Sequence, residues 1–130
     1  MDFYLNPSNS YNRIVEEYNK YGTLVVAFDF DNTVYDFHKK GRMYSDMIDL
    51  IQELKSINCY LICWTGQEDN AFVQTYLIEN QIPFDSINEN PPFHQSKSRK
   101  VYANVYLDDR AGLQQVYSDL KKLIQTQKHH

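Results

Sequence analysis

Apolar positions recur along this chain in two rhythms, one helical and one strand-like. Tyr11, Ile14, Val15 and Tyr18 fall at helical spacing and predict a helix over Ser10–Tyr21, with Gly22 as its stop. Leu24–Phe28 is a short, β-rich apolar run and reads as the first strand. Tyr35–Tyr44 breaks the pattern with His38, Lys39, Lys40, Gly41 and Arg42 and reads as a turn or flap. Ser45 followed by Asp46 is an N-cap signal, opening a helix that buries Met47, Ile48, Ile51 and Leu54 on one stripe. Cys59–Trp64 is a second strand, ended by Thr65-Gly66. Phe72, Val73, Tyr76 and Leu77 mark a helix over Glu68–Asn80. Pro83–Ile87 reads as a short third strand, and Asn88–Ser98, which holds Pro91-Pro92, as a loop. Val101–Leu107 is another strand, ended by Asp108-Asp109. Leu113, Val116, Tyr117, Leu120, Leu123 and Ile124 predict a final helix.

Strands alternating with helices predict an α/β fold: a three-layer, Rossmann-like, mostly parallel sheet forming a single domain over residues 1–130. Right-handed connections bring the C-terminal ends of parallel strands to one edge. That edge would collect Asp29, Asp31, Thr65, Asp108 and Asp109.

Composition narrows the function classes. The chain has 130 residues and a formal net charge of −4, which disfavours generic binding to nucleic acid or an acidic membrane. Its 11 tyrosines should be half-buried with their hydroxyls partnered. Cys59 and Cys63 share one apolar run, too far apart along a strand for a disulfide, and read as core residues of a reducing compartment. No apolar run approaches membrane-spanning length and the N-terminus lacks a signal-peptide pattern, so a cytoplasmic location is expected. The terminal His129-His130, which has the form of a tag remnant, carries no functional weight.

The chemistry is concentrated where the first strand ends. In Asp29-Phe30-Asp31-Asn32-Thr33-Val34 the two aspartates lie two apart and start on one face. Like charges so close are costly unless a cation sits between them or one carboxylate stays protonated. The spacing suggests a divalent-metal site with a nucleophilic carboxylate, at the sheet edge where α/β folds bind ligands. Each piece alone has a structural explanation: Asp-x-Asp as a capped turn, Thr65-Gly66 as a strand-to-helix turn, Asp109 as an N-cap, and Lys97, Arg99 and Lys100 as solvated charges. It is their order along one sheet edge that argues for a site.

In these residues the chain resembles the haloacid dehalogenase superfamily, whose members are mostly phosphatases. The motifs stand as Asp29-Phe30-Asp31-Asn32-Thr33-Val34, Leu61-Ile62-Cys63-Trp64-Thr65-Gly66, a lysine, and Val105-Tyr106-Leu107-Asp108-Asp109. Lys100 is the candidate lysine, with Lys97 as the alternative. Ser98-Arg99-Lys100 followed by Leu107-Asp108-Asp109-Arg110 looks like a small, capless branch found in bacteria and phages. Position 32, often glycine in the family, is asparagine here, which also tolerates unusual turn conformations.

The resemblance implies an Mg²⁺-dependent phosphomonoester hydrolase. Asp29 would be the nucleophile and Asp31 the acid and base. Mg²⁺ would be held by Asp29, the Asp31 carbonyl, and Asp108 or Asp109. Thr65, with a neighbouring backbone amide at Gly66, would hold phosphoryl oxygens, and Lys100 would offset negative charge. About 30 residues separate Thr33 from Thr65, filled by the flap and one helix, so no cap domain fits. The site should be open, suiting a phosphorylated small molecule or a phosphorylated nucleic-acid end, or calling for a second copy of the chain to cover it. Lys39, Lys40 and Arg42, with His38, would overhang the site and steer anions. Two other readings are a non-catalytic phosphate- or metal-binding module and a phosphorylatable receiver-like domain. In receivers the Asp pair precedes the acceptor aspartate, whereas here it comes last.

Overall fold

The structure, a computed structural model, describes residues 1–128; the terminal histidine pair lies outside them. A single turn of 3-10 helix at Phe3–Leu5 precedes α1, Pro7–Tyr21. Then follow β1 Val25–Asp29, α2 Ser45–Ser56, β2 Tyr60–Trp64, α3 Asn70–Glu79, β3 Ser86–Ile87, β4 Val105–Leu107 and α4 Leu113–Lys128. The strands form one sheet in the order β3-β2-β1-β4, every pairing parallel. The α/β Rossmann-like class expected from the sequence is the one observed.

The helix starts differ from the expected ones for local reasons. α1 opens at Pro7, ahead of Ser10, because the Asn6 side chain accepts the Ser8 N–H at 3.0 Å and Pro7 occupies the first turn, where its missing N–H costs nothing. Ser45 is the first helical residue of α2 and not its cap; Tyr44 holds the cap position with no side-chain hydrogen bond. α3 starts after Asp69, whose carboxylate accepts the Phe72 N–H at 3.0 Å, so Glu68 stays outside. At its far end α1 stops at Gly22, in the left-handed region at φ 71°, as its sequence indicated.

The sheet divides the core in two. Val26, Phe28 and Phe30 face a large cluster to which all four α-helices contribute, including Leu50 and Leu54 of α2, Leu77 of α3 and Leu120 of α4. Leu50 is fully buried although the expected stripe left it out, whereas Ile48 is only half-buried. On the opposite face Val25, Ala27 and Ile62 pack with Val101, and no helix residue joins them. Right-handed crossovers account for this. β1→β2→β3 steps in one direction and places α2 and α3 together, whereas the β3→β4 connection must return across the other face. That connection, residues 88–104, contains neither helix nor strand. The third layer is therefore irregular chain.

β4 is shorter than the expected Val101–Leu107. Its ladder stops at Asn104, which pairs with Val25 twice: its N–H donates to the Val25 carbonyl at 2.8 Å, and its side-chain oxygen accepts the Val25 N–H at 2.7 Å. The side-chain amide also donates to Glu17, tying α1 to the sheet. Val101 instead folds onto the sheet face, where the Tyr106 hydroxyl donates to its carbonyl at 2.5 Å. The Tyr18 and Tyr76 hydroxyls likewise donate to the carbonyls of Ile57 and Val34. Cys59 and Cys63 are buried and free, and burial pushes their thiols up to about 11 and about 12.

Replacing Asn104 by alanine leaves the buried Val25 N–H without its acceptor. The expected cost is about 1–3 kcal/mol of stability. It should appear as a lower urea midpoint with an unchanged slope; a midpoint equal to that of the wild type would contradict the assigned bond.

Candidate functional site

β1 runs apolar through Phe28 and becomes polar at Asp29, its last residue, which pairs with Trp64 at the end of β2. The next turn is wound around one carbonyl: Phe30 O accepts the N–H groups of Thr33, Val34 and Tyr35 at 3.3, 3.1 and 3.0 Å. Asn32 sits in this turn at φ 61°, a conformation that asparagine tolerates better than most residues. Phe30 and Thr33 point inward and are fully buried, so Asp29 and Asp31 face outward together. The Phe30 ring stacks on Tyr35 at 5.0 Å and locks the turn to the core. The Thr33 hydroxyl donates to Asp29 Oδ2 at 3.4 Å.

β4 delivers the other half. Phe28 is in register with Leu107, so Asp108 and Asp109 emerge next to Asp29. Carboxylate oxygens of Asp29, Asp108 and Asp109 lie within 4.8 Å of one another, close enough to share one cation. Asp108 also accepts the Arg110 N–H at 2.9 Å, which fixes its rotamer. Burial first, then a hydrogen bond with Asp109 and the charges of Asp108 and Asp109, raise Asp29 to about 7. The cleft holding these acids has a volume of about 280 Å³, with Asp31 and Asn32 on one wall and Phe37, His38 and Arg110 on the others. The Asn32 side-chain oxygen is buried in it with no hydrogen-bond donor.

The remaining expected site residues divide into those the fold brings near and those it does not. Thr65 and Gly66 stand at the same sheet edge, beside the cleft and outside its lining. Thr65 is held through Asn88, which accepts the Thr65 N–H and donates to the Thr65 carbonyl, both at 2.8 Å. The Thr65 hydroxyl accepts the Gln67 N–H at 3.0 Å, and the Gln67 amide donates to Asp31 Oδ1 at 3.1 Å. Lys100 is not brought to the acids: its ammonium lies 5.2 Å from the Tyr106 ring centroid, in a different cleft. Lys97 is exposed and does not line the acid cleft either. In the flap, Phe37 and His38 reach the cleft, whereas Lys39, Lys40 and Arg42 are exposed and outside its lining.

Three residues of the site, Asp36, Gln67 and Asn88, went unnoticed in the sequence, and Arg110 was given no role there. Asp36 organises the flap, accepting the N–H groups of Lys40, Gly41 and Arg42 at 3.2, 2.8 and 3.2 Å. Gln67 and Asn88 connect the Thr65 loop to Asp31. Arg110, directly after the Asp108-Asp109 pair, lines the cleft. Asn88 alone had a readable signal, as an asparagine directly after an apolar strand, where left-handed backbone is common; it sits at φ 56°.

No family model matches the chain, and no curated protein does. It is similar to a solved structure, a conserved protein from Bacteroides thetaiotaomicron, with a TM-score of 0.62 and 23% identity over 78% of this chain and 92% of that one. At that identity the likeness shows the fold, a parallel α/β sheet with flanking helices. Among the described residues no helix is long and apolar enough to cross a membrane.

The raised Asp29 predicts how metal-free stability varies with pH. A carboxyl raised from 3.8 to about 7 on folding stabilises the folded protein while protonated, and that advantage is lost as pH climbs through this window. Asp29 is only half-buried, so solvent screens part of this effect. Melting in chelator should therefore fall between pH 4 and pH 7 by more in the wild type than in Asp29→Asn, and the variant should melt higher at pH 8. Parallel curves for the two proteins would contradict the assignment.

Proposed function

We propose that the protein is a magnesium-dependent phosphomonoester hydrolase that works through a phosphorylated Asp29. The observation that carries this reading is the convergence of Asp29, Asp108 and Asp109 within 4.8 Å, with Asp31 facing the same cleft. Burial first, and then the neighbouring acids, hold the proton on Asp29 to about 7, and the close packing of the carboxylates is unfavourable once they ionise. A hard divalent cation with oxygen ligands removes the conflict. Asp29, Asp108 and Asp109 would hold Mg²⁺, together with the Asp31 carbonyl as the family resemblance suggests. When bound, the ion would neutralise charge on the acids and on the phosphoryl oxygens.

The residues then divide the work. An Asp29 oxygen attacks phosphorus as the ester P–O bond breaks, and the leaving oxygen takes its proton from Asp31. Asp31 next removes a proton from water, which attacks phosphorus, releases inorganic phosphate and restores Asp29. The Gln67 amide, bonded to Asp31 Oδ1, leaves the second Asp31 oxygen free for this transfer. Thr65, pinned by Asn88, would present its backbone edge to phosphoryl oxygens. Arg110 lines the cleft, and its guanidinium would take the charge-offsetting role that the sequence gave to Lys100. The open cleft suits a phosphorylated small molecule or the phosphorylated end of a nucleic acid. The competing reading, a non-catalytic phosphate- or metal-binding module, draws on the distance of Lys100 from the acids.

Metal-dependent turnover of nitrophenyl phosphate separates the two. Asp29→Asn should abolish it, with less than about a hundredth of wild-type turnover remaining, since loss of a covalent nucleophile costs orders of magnitude. Asp31→Asn should lower turnover by about 10²–10⁴-fold while calorimetry still detects Mg²⁺ binding. Turnover in the wild type that is absent at every Mg²⁺ concentration would favour the binding module.

Arg110→Gln should lower kcat/KM by about 10-fold or more, and Lys100→Gln by less. A larger loss in the lysine variant would return the charge-offsetting role to Lys100.

A further inference from the structure

On the helix-free face of the sheet, away from the acid cleft, two other clefts adjoin. The first, of about 400 Å³, opens beside the start of β1 and is walled by Tyr21, Phe93, His94 and Tyr102. The second, of about 520 Å³, shares His94, Tyr102 and Asn104 with it and continues to Ser96, Ser98 and Lys100. We propose that together they bind one nucleoside phosphate, with the base in the aromatic cleft and the phosphate in the cationic one.

Three observations converge on this site. The aromatic surface is left open: Phe93 of the irregular connection is 66% exposed and Tyr21, the last residue of α1, 62%. Exposed rings gathered in one concavity mark a binding surface more often than chance exposure does. His94 stacks on Tyr102 at 4.2 Å and Phe93 meets Tyr60 edge-on at 5.7 Å, so the rings are already positioned for a planar guest. Base–aromatic stacking of this kind tolerates any base.

The second observation is charge. The protein carries −4 overall, yet neither cleft has a carboxylate in its lining. Arg13 and Lys100 supply the charge, and Ser96 and Ser98 supply hydroxyl donors. Arg13 is partly spoken for by Glu17 at 2.9 Å, whereas Lys100 makes no ion pair among the described residues and rests on the Tyr106 ring. The third observation is the chain itself. A connection as long as residues 88–104, without regular structure inside a compact domain, is usually functional. It supplies Phe93, His94, the two serines, Lys100 and Tyr102. None of this depends on the acid cleft being catalytic.

The test is ¹H–¹⁵N NMR titration of full-length Asp29→Asn protein in EDTA, so that the acid cleft can neither turn over nor hold metal. AMP should shift Tyr21 and residues 93–104 and spare Asp108, Asp109 and Arg110. Adenosine should bind at least about fivefold more weakly than AMP, reflecting the missing anion. In the same background Phe93→Ala should weaken AMP by about tenfold, the loss of one stacking partner. Ser96→Asp, which keeps an acceptor for the Ser98 N–H but adds negative charge, should weaken AMP and leave adenosine unchanged. An oligo(dA) strand that binds no tighter than AMP identifies a free nucleotide as the guest. One that binds much tighter with steep salt dependence identifies a single strand and overturns a free nucleoside phosphate as the guest. The proposal is overturned if AMP produces no shifts at millimolar concentration, if shifts centre on Asp108–Arg110, or if adenosine and AMP bind alike.

Discussion

Everything at the acid cleft follows from one constraint: β1 is bonded on both sides. With β2 on one flank and β4 on the other, its backbone is fully paired and its side chains are covered on both faces. Such a strand cannot carry a charge until it leaves the sheet, because a charge inside would have to be desolvated without a partner. Val25 through Phe28 obey this, and Asp29 is the first position where a carboxylate meets solvent. Parallel register with β4 then fixes where the second pair of acids emerges. The cluster is a consequence of strand order, and any change of register in β4 would dissolve it.

The same constraint explains how much of the site was legible in the sequence. Asp29, Asp31, Asp108 and Asp109 were readable because each ends an apolar run, and parallel strands send such ends to one edge. Their collection at one cleft needed only the fold class. Lys100 was harder. It stands just before Val101–Leu107, whose alternation reads as one strand, whereas the strand forms only from Val105 and leaves residues 101–104 free to turn. The structure turns Val101 onto the sheet and lays Lys100 on Tyr106. Asp36, Gln67 and Asn88 were invisible for a related reason. They bond to backbone or to a single side chain across 4 to 36 positions of sequence, contacts that leave no pattern in composition or spacing. Helix starts slipped where a side-chain cap such as Asn6 or Asp69 outweighed the apolar rhythm.

The irregular third layer was legible in part: Asn88–Ser98 reads as a loop, whereas residues 101–104 were expected in a strand. Strand-helix alternation leads one to expect a helix in every crossover, yet residues 88–104 contain Pro91-Pro92 and few apolar positions, and could not have formed an amphipathic helix. The layer instead reaches the sheet through single side chains: Val101 in the small core, Phe93 against Tyr60, and Asn104 bonding the edge of β1. A helix would have sealed this face with its own apolar stripe. Individual anchors leave gaps between them, and the two clefts of that face are those gaps.

Stability and chemistry pull against each other at the acid edge. The helical side of the sheet supplies a continuous core from Ile14 to Ile124, large enough to tolerate a locally unfavourable cluster. Asp29 is where that tolerance is used, since it is half-buried and faces two other acids, offset in part by the Phe30 backbone amide and a long hydrogen bond from Thr33. A proton and a cation are alternative ways of relieving the repulsion, and they compete for the same oxygens. With Asp29 raised to about 7, the proton wins in mildly acidic solution and gives way as pH rises above that value. On the proposed reading, occupancy by a divalent cation would be coupled both to pH and to folding stability, through the side chain of the last residue of β1.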